Sequence, residues 1–440
     1  MLAILGYAMV IIFMLLIMKK WLSPFTALIS IPLLFTIIGL ALGLYPQKIG
    51  AWALKGLESV SVTGVMLLFA ILYFSIMLDA GLFDPVTAFV IKVAKGDPVK
   101  ILLGTAIVAA TVSLNGDGTT TTLICCSAFI PIYKKLNLKM MNLGVLIILQ
   151  NTIMNLLPWG GPTARAISVL KIDESVVLRS VAPGMAVAII YMLFVAVYLG
   201  RKERKRLGIV DLSQEEIAEL TVVTDPSVLE LRRPKMIWPN AIMTLVLVGL
   251  LVSGLFPSPF LFIVGTAIAL LLNYRSMKQQ RERIEAHAGD AVQVVILIFA
   301  AGIFMGLLTG SGMATAIAKS LGSIIPDSLG SFWGLVVAVI SAPGVFFLSN
   351  DAFYFGVLPV LAETGYHYGF TAMQMGLASL MGQAFHLLSP LVAFIYLLLR
   401  LTDLDMGAWQ RESGKWAVGI FIIFIVVTIA TGGVPLYVAR

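Results

Sequence analysis

Two apolar stretches, one in each half of the chain, are interrupted at mid-length by a short polar motif. The first motif reads Asn-Gly-Asp-Gly and is followed by four threonines, and the second reads Ser-Asn-Asp. An ionisable side chain inside an apolar span is costly, so it must face a cavity, a partner or a bound ion. The aspartates, Asp117 and Asp351, are 234 residues apart, about half the chain. The sequence therefore predicts two copies of one unit, each with a polar tip inside the apolar region.

The composition places the chain in a membrane. Of its 440 residues, 59% are hydrophobic and 12% are charged, whereas soluble domains have roughly 45 to 50% apolar and roughly 25% charged residues. The pattern predicts an all-α integral membrane protein with several spans. The net charge of +7 need not indicate nucleic-acid binding, because basic residues also collect in the cytoplasmic loops of membrane proteins.

Ten uninterrupted apolar runs are predicted to be membrane spans, each of which takes about 20 residues. The runs are residues 2–18, 22–45, 62–83, 140–157, 177–200, 236–256, 259–273, 290–309, 371–399 and 416–437. The interrupted stretches, 101–133 and 331–362, have arms of about 15 residues, or about 22 Å of helix, which is shorter than the hydrocarbon core. We interpret each as a re-entrant hairpin that turns back near the midplane.

The basic residues predict the orientation. With the loop at Lys19 and Lys20 in the cytoplasm, alternation of the ten spans places 23 of the 30 lysines and arginines on that side, as the positive-inside rule requires. The first hairpin then enters from the cytoplasm and the second from outside, and both termini lie outside the cell membrane. Each half has five spans, an odd number, so the second half is inverted relative to the first, as in secondary transporters.

This topology divides the chain into a first repeat at residues 1–200, a polar cytoplasmic linker at 201–235 and an inverted second repeat at 236–440. At the first tip, Gly116 and Gly118 allow the backbone to turn and to approach a ligand. Thr119 and Thr120 begin the returning helix, whose N-terminal amides and dipole favour an anionic substrate. The threonines have a plainer alternative role, which is to cap that helix.

The two aspartates have two candidate functions. Asp117 and Asp351 are either ligands for a hard divalent cation or proton carriers inside the membrane, and the alternative is a carboxylate neutralised by a nearby helix end. Asn115, Ser349 and Asn350 supply amide and hydroxyl groups that can coordinate a metal or orient a carboxylate.

A span that breaks at proline and glycine follows each hairpin, and we expect each break to lie beside its own tip. Freed backbone groups at such breaks must be satisfied by ligand, water or other helices. Arg165 either binds a carboxylate or reaches the outer interface, and His386 either binds substrate, metal or a proton or is a satisfied interior histidine. The candidate substrate-binding residues at the breaks are Gly161, Pro162, Thr163, Arg165, His386 and Ser389.

Five segments distributed over nearly the whole chain resemble the citrate/divalent-metal:proton symporter family. They are residues 74–85, 115–119, 157–165, 349–354 and 386–390. The resemblance implies membership of the ion transporter superfamily, and uptake of citrate as a complex with a co-transported divalent metal such as Mg²⁺ or Ca²⁺. It also implies coupling to protons, no resident cofactor and a homodimer whose hairpin-bearing domains move as elevators.

The chain departs from that family pattern at a few positions. Asn115 stands where some members have an aspartate, which removes one carboxylate from the first tip. Apolar side chains stand where members carry more polar or proline residues, at Ala384, Ala393, Phe394 and Ile395. These differences bear on the choice of metal and on the shape of the substrate pocket.

Other functions fit part of the pattern. A transporter of the same superfamily could carry a free di- or tricarboxylate, gluconate or arsenite, or exchange Na⁺ for protons, although the threonine-rich tip disfavours a pure cation exchanger. An intramembrane aspartyl protease would need a catalytic pair of aspartates. Its Gly-x-Gly-Asp pattern fails at Leu114, and the chain has no Tyr-Asp pair. The sequence therefore favours a transporter over an enzyme or a channel.

Overall fold

The computed structural model describes residues 1–209, 226–322 and 326–439, and every regular element in those ranges is a helix. The predicted all-α fold is therefore confirmed. Seven helices are long and apolar enough to cross a membrane. They are Pro24–Ala41, Ile49–Asp79, Pro98–Asn115, Glu174–Leu207, Pro234–Ser253, Met277–Gly310 and Met406–Ala430. Further apolar helices are shorter, so ten crossings stay a prediction.

The first half, up to residue 209, contains nine α-helices. They are α1 (Leu2–Met18), α2 (Pro24–Ala41), α3 (Ile49–Asp79), α4 (Asp84–Ala94), α5 (Pro98–Val112), α6 (Gly118–Lys135), α7 (Met140–Met154), α8 (Gly161–Leu170) and α9 (Glu174–Leu207). Residues 113–118, here called tip 1, join α5 to α6 through a short 3₁₀ turn. Residues 155–160, called break 1, interrupt the predicted span at 140–157.

The described part of the second half contains twelve α-helices. Its helices are α10 (Pro226–Leu231), α11 (Ile237–Ser253), α12 (Ser258–Asn273), α13 (Met277–Gly310), α14 (Met313–Gly322), α15 (Asp327–Gly330), α16 (Trp333–Phe347), α17 (Leu358–His367), α18 (Ala372–Leu380), α19 (Gln383–His386), α20 (Ala393–Thr402) and α21 (Met406–Ala430). Residues 348–351, called tip 2, lead from α16 into a π-helical turn, Ala352–Val357, that continues as α17. Residues 381–392, called break 2, include α19.

The helices that follow the two breaks have similar boundaries, while the predicted repeat stays a prediction. Helices α8 and α20 have ten residues each and begin 232 residues apart. Both end at a non-glycine residue in the left-handed conformation, Lys171 with φ 54° and Asp403 with φ 52°. Two residues later, Asp173 and Asp405 accept backbone N–H bonds and cap the next helix. The inverted orientation of the second copy stays a prediction.

Several helices extend beyond the predicted apolar runs or end before them, by about one to four turns. Helix α3 begins at Ile49, not at residue 62, and Gly56 in its early turns packs against Gly302 of α13. Helix α9 extends into the predicted linker as far as Leu207, where Arg204 pairs with the buried Asp97. Helix α21 ends at Ala430, before the left-handed Gly432. Residues 210–225 of the predicted linker lie outside the described residues.

Two long equivalent helices, α3 and α13, pack closely through glycines. A Cβ atom added to Gly56 would lie 2.0 Å from the carbonyl oxygen of Gly302, and one added to Gly306 would lie 2.2 Å from that of Trp52. Small residues at such spacing let membrane helices approach each other closely. This contact joins the two halves of the chain.

A polar cluster lies at one end of the same pair of helices. The Asp79 carboxylate accepts hydrogen bonds from Arg283 at 3.2 Å and from His287 at 2.7 Å. Nearby, Arg232 contacts Asp84 at 2.7 Å and donates to the backbone carbonyl of Asp79. Asp79 and Asp84 therefore hold the end of α3 to α13 and to the end of the linker.

Candidate functional site

Tip 1 is organised around its own aspartate. Gly116 adopts the left-handed conformation with φ 77°, and Asn115 Oδ1 accepts the Asp117 backbone N–H at 2.8 Å. The Asp117 carboxylate then accepts the backbone N–H groups of Thr119 at 3.2 Å and Thr120 at 2.7 Å. The first amides of α6 are therefore occupied, and the expectation of free amides for an anionic substrate was wrong. Asp117 and Thr119 are exposed.

Gly118 lies against an aromatic ring from the other half of the chain. A Cβ atom added to this glycine would lie 2.1 Å from Cζ of Phe394, which belongs to α20. Gly118 itself is buried. The absence of a side chain here therefore allows close packing between α6 and α20, whereas the sequence predicted a close approach to substrate.

Break 1 lies beside tip 1, as expected. Trp159 donates from Nε1 to the carbonyl oxygen of Leu114 at 2.8 Å, and Asn151 donates from Nδ2 to Ser113 Oγ at 3.2 Å. Within the break, Thr163 donates to the Asn155 carbonyl oxygen at 3.2 Å. The Thr163 hydroxyl thus satisfies a backbone group freed by the break, as membrane breaks require.

Helix α8 places the Arg165 side chain next to tip 2. Pro162 occupies a first-turn position, where a proline needs no N–H partner. Arg165 donates from Nη1 to the Gly161 carbonyl oxygen at 2.8 Å and from Nε to Asp351 Oδ1 at 2.7 Å. The side chains of Arg165 and Asp351 are only 14% and 13% exposed. Arg165 is therefore held between the two halves of the chain by an ion pair.

Tip 2 and break 2 share a buried hydrogen-bond network. Asn350 Nδ2 lies 2.9 Å from His386 Nε2, and His386 Nδ1 lies 3.1 Å from the Val345 carbonyl oxygen. Because a carbonyl can only accept, Nδ1 carries the proton and Nε2 accepts from Asn350. Gln383 donates to Asn350 Oδ1 at 3.2 Å and to the Tyr354 hydroxyl at 2.8 Å. A neutral His386 therefore orients Asn350.

The two serines of the predicted site have local partners. Ser349 Oγ accepts the Ala352 N–H at 3.1 Å, and Ser389 Oγ accepts the Leu391 N–H at 3.1 Å. Ser389 is fully buried. Both hydroxyls therefore stabilise turns.

The contacts between the halves are reciprocal. Helix α8, which follows break 1, reaches tip 2 through Arg165, and α20, which follows break 2, reaches tip 1 through Phe394. The two tips and the two breaks therefore belong to one region that neither half completes alone. The predicted composite site agrees with this arrangement.

Sequence reasoning missed a polar run on α7. The side chains of Gln150, Asn151 and Thr152 are at most 1% exposed. Both polar atoms of Gln150, Asn151 Oδ1 and Thr152 Oγ1 lack a hydrogen-bond partner, as does Thr122 Oγ1 on α6. A buried polar group without a partner costs about 1–3 kcal/mol. Three consecutive polar residues inside an apolar run were the available signal.

Within the described ranges, no three histidine, cysteine, aspartate or glutamate side chains are grouped closely enough to hold a metal ion. Asp351 is engaged by Arg165 and Asp117 by backbone amides. A divalent metal entering this region would therefore find few carboxylate ligands among the described residues.

Solved structures with a similar fold are transporters. The chain superimposes on the YdaH transporter of Alcanivorax borkumensis with a TM-score of 0.53 and 12% identity, covering 89% of both chains. It superimposes on MtrF of Neisseria gonorrhoeae with a TM-score of 0.57 and 14% identity, covering 87% of this chain and 83% of that one. At these identities the likeness establishes the fold alone.

Sequence comparisons are more specific. A protein of Bacillus subtilis (strain 168) described as a citrate transporter is 45% identical over 432 residues, which is 98% of this chain and 99% of that protein. A second protein of that strain, the Mg(2+)/citrate complex secondary transporter, is 40% identical over 440 residues and the full length of both chains. The sequence model described as "Citrate transporter" matches residues 13–382. The chain is therefore a multi-pass membrane protein that belongs to the citrate transporter family.

Proposed function

We propose that this protein takes up citrate as a complex with a divalent metal ion, together with protons. The observation that carries the proposal is the ion pair between Arg165 of the first half and Asp351 of the second, at 2.7 Å in a site built from both halves. The relative described as a Mg(2+)/citrate complex secondary transporter, aligned over the full length, supports the choice of cargo.

The ion pair suggests how protons and anion are coupled. Arginine binds carboxylates through a planar fork of N–H donors, but Asp351 engages the Arg165 guanidinium. Protonation of Asp351 would release that guanidinium for a substrate carboxylate. The substrate would thus bind best to the protonated site, and uptake should rise as the external pH falls.

The charges of the cargo fit this coupling. Citrate with three negative charges and a metal with two positive charges give a complex with one negative charge. Two accompanying protons would make the event electrogenic, and each net positive charge moved inward gains about 2.3 kcal/mol per 100 mV. The carboxylates of citrate would supply most of the oxygen ligands of the metal, and the exposed Asp117 could add one more.

The arrangement of the helices fits alternating access in the cell membrane. We expect the two hairpins to approach the site from opposite faces, with both termini outside, and the hairpin-bearing parts to move as an elevator within a homodimer. The close packing of α3 with α13 makes that pair a candidate for the static part.

Uptake by the purified protein in proteoliposomes tests the proposal. Radiolabelled citrate is supplied with no metal or with Mg²⁺, Ca²⁺, Mn²⁺, Co²⁺, Ni²⁺ or Zn²⁺, at two external pH values. We expect uptake to require one or more of these metals and to increase at the lower pH. The Gly414→Ala variant, which has open space around it, serves as a matched control. Uptake that is equal without any metal contradicts the proposal.

A further inference from the structure

The polar run on α7 differs from most other buried polar groups in the described residues. Outside α6 and α7, the buried side-chain atoms without a hydrogen-bond partner belong to Arg232, Trp409, Ser413 and Trp416. Asn240 and Asn273 exchange amide hydrogen bonds at 2.8 and 3.0 Å. The buried Thr402 donates to the carbonyl oxygen four residues earlier, at Leu398, over 2.7 Å. Further buried helical threonines do the same, among them Thr36, Thr105, Thr244 and Thr266. The chain therefore usually satisfies its interior polar side chains locally.

Thr152 and Thr122 make no such bond, and Gln150 makes no hydrogen bond through either side-chain atom. All three side chains are fully or almost fully buried. Apolar residues of similar size would remove the cost of these unpaired atoms. Polar atoms left open in this way are suited to a partner that the protein binds and releases.

The two helices that carry these atoms, α6 and α7, border the proposed site. The neighbouring Asn151 donates to Ser113 in the turn that precedes tip 1. Helix α7 packs against tip 1, α6, α19 and α20, and α19 carries the His386 and Gln383 side chains of break 2. The polar run is thus on the helix that lies between the first tip and the second break.

We propose that Gln150, with Thr152 and Thr122, forms an uncharged subsite for the hydroxyl and one carboxylate of the transported hydroxycarboxylate. An amide donates to a carboxylate oxygen and accepts from a hydroxyl at the same time, which a guanidinium such as Arg165 cannot do. The inference rests on the proposed function, since it assigns the uncharged part of the same ligand. Gln150 becomes the residue that distinguishes citrate from polycarboxylates without a hydroxyl.

The test compares two ligands and three variants. The proteins purified are wild type, Gln150→Met, Thr152→Val and the control Thr402→Val. Each is assayed with citrate and with tricarballylate, which is citrate without its hydroxyl. Both ligands are supplied at saturating Mg²⁺. KM for uptake and the ligand-induced change in thermal midpoint are measured, together with the midpoint without ligand. The change in the ratio of KM values from wild type to variant cancels any difference in metal binding between the ligands.

We expect wild type to prefer citrate by about tenfold or more and Gln150→Met to reduce this preference to nearly one. Without ligand, the midpoint of Gln150→Met should equal or exceed that of wild type, because an unpaired buried amide has been removed. Thr152→Val should raise KM for citrate several-fold, and Thr402→Val should leave KM unchanged.

The inference is overturned if Gln150→Met and Thr152→Val keep the wild-type KM values and preference, which would assign these atoms to water. It is also overturned if Gln150→Met lowers the thermal midpoint without ligand and leaves the preference for citrate intact. That result would indicate a structural role for Gln150. A wild type that takes up no citrate contradicts the proposed function instead. The same variants are then compared with whichever hydroxylated anion raises the wild-type midpoint, against its analogue without the hydroxyl.

Discussion

Arg165 Nε donates to Asp351 Oδ1 over 2.7 Å, although the two residues are 186 positions apart in the chain. The cation comes from the helix that follows the first break, and the carboxylate comes from the second tip. Each charge compensates the other in a region where neither side chain is more than 14% exposed. The ion pair therefore connects the two halves of the chain at the site.

Removal of one partner of this pair should lower the free energy of unfolding more than removal of both partners. Arg165→Gln leaves the Asp351 carboxylate without its cation, and we expect a loss of up to about 3 kcal/mol in the free energy of unfolding. The double variant Arg165→Gln, Asp351→Asn should regain part of the loss, while uptake stays abolished in both. Thermal midpoints in detergent and uptake in proteoliposomes measure these effects. Full uptake by Arg165→Gln would exclude a role for the pair in transport.

Asp117 has a capping role and a proposed transport role, and two variants separate them. Asp117→Ala removes the acceptor for two amides of α6 and should cost about 1 kcal/mol. Asp117→Asn retains a capping oxygen, so its thermal midpoint should stay close to that of wild type. We expect metal-dependent uptake to fall strongly in both. If Asp117→Asn transports normally, its charge is dispensable and Asp117 is a structural cap only.

Gly118→Ala should disturb the contact between α6 and α20. Its Cβ would lie 2.1 Å from the Phe394 ring, and such overpacking typically costs about 1–3 kcal/mol. We expect a lower midpoint and a lower uptake rate, both partly restored by Phe394→Leu in the double variant. Absence of rescue would mean that Gly118 is required for a reason other than the ring.

Alanine substitutions at two glycines of α13 should change the free energy of unfolding in opposite directions, because the two glycines have different surroundings. Gly306→Ala places its Cβ 2.2 Å from the Trp52 carbonyl oxygen, and backbone cannot move aside easily, so we expect a loss of about 3 kcal/mol. Gly289→Ala lies on the same helix in open space and should gain up to about 1 kcal/mol from helix propensity. Chemical denaturation in detergent compares the two. Equal effects would contradict the close packing of α3 with α13.

The positions of the tips and breaks could be predicted because glycine, proline and aspartate have few other uses inside an apolar span. The partners of each side chain could not. Arg165 was equally compatible with the outer interface, because its sequence context does not determine which way α8 points. The Phe394 contact with Gly118 likewise depends on how two distant helices pack.

Local patterns also misled in two places. The polar residues at the start of α3 favoured a later beginning, because the sequence does not reveal the glycine contact with α13. The threonines after Asp117 favoured an open anion site, although the aspartate beside them is itself the nearest anion. Whether a ligand or the protein's own carboxylate occupies these backbone amides depends on the three-dimensional arrangement, which the sequence does not reveal.

Simultaneous uptake of radiolabelled citrate and a radioactive divalent metal by the same proteoliposomes tests the central claim most directly. The account predicts that both labels enter together, at a ratio close to one to one, and that Asp351→Asn abolishes both. Citrate that enters without the metal, or metal that enters without citrate, would contradict transport of the complex.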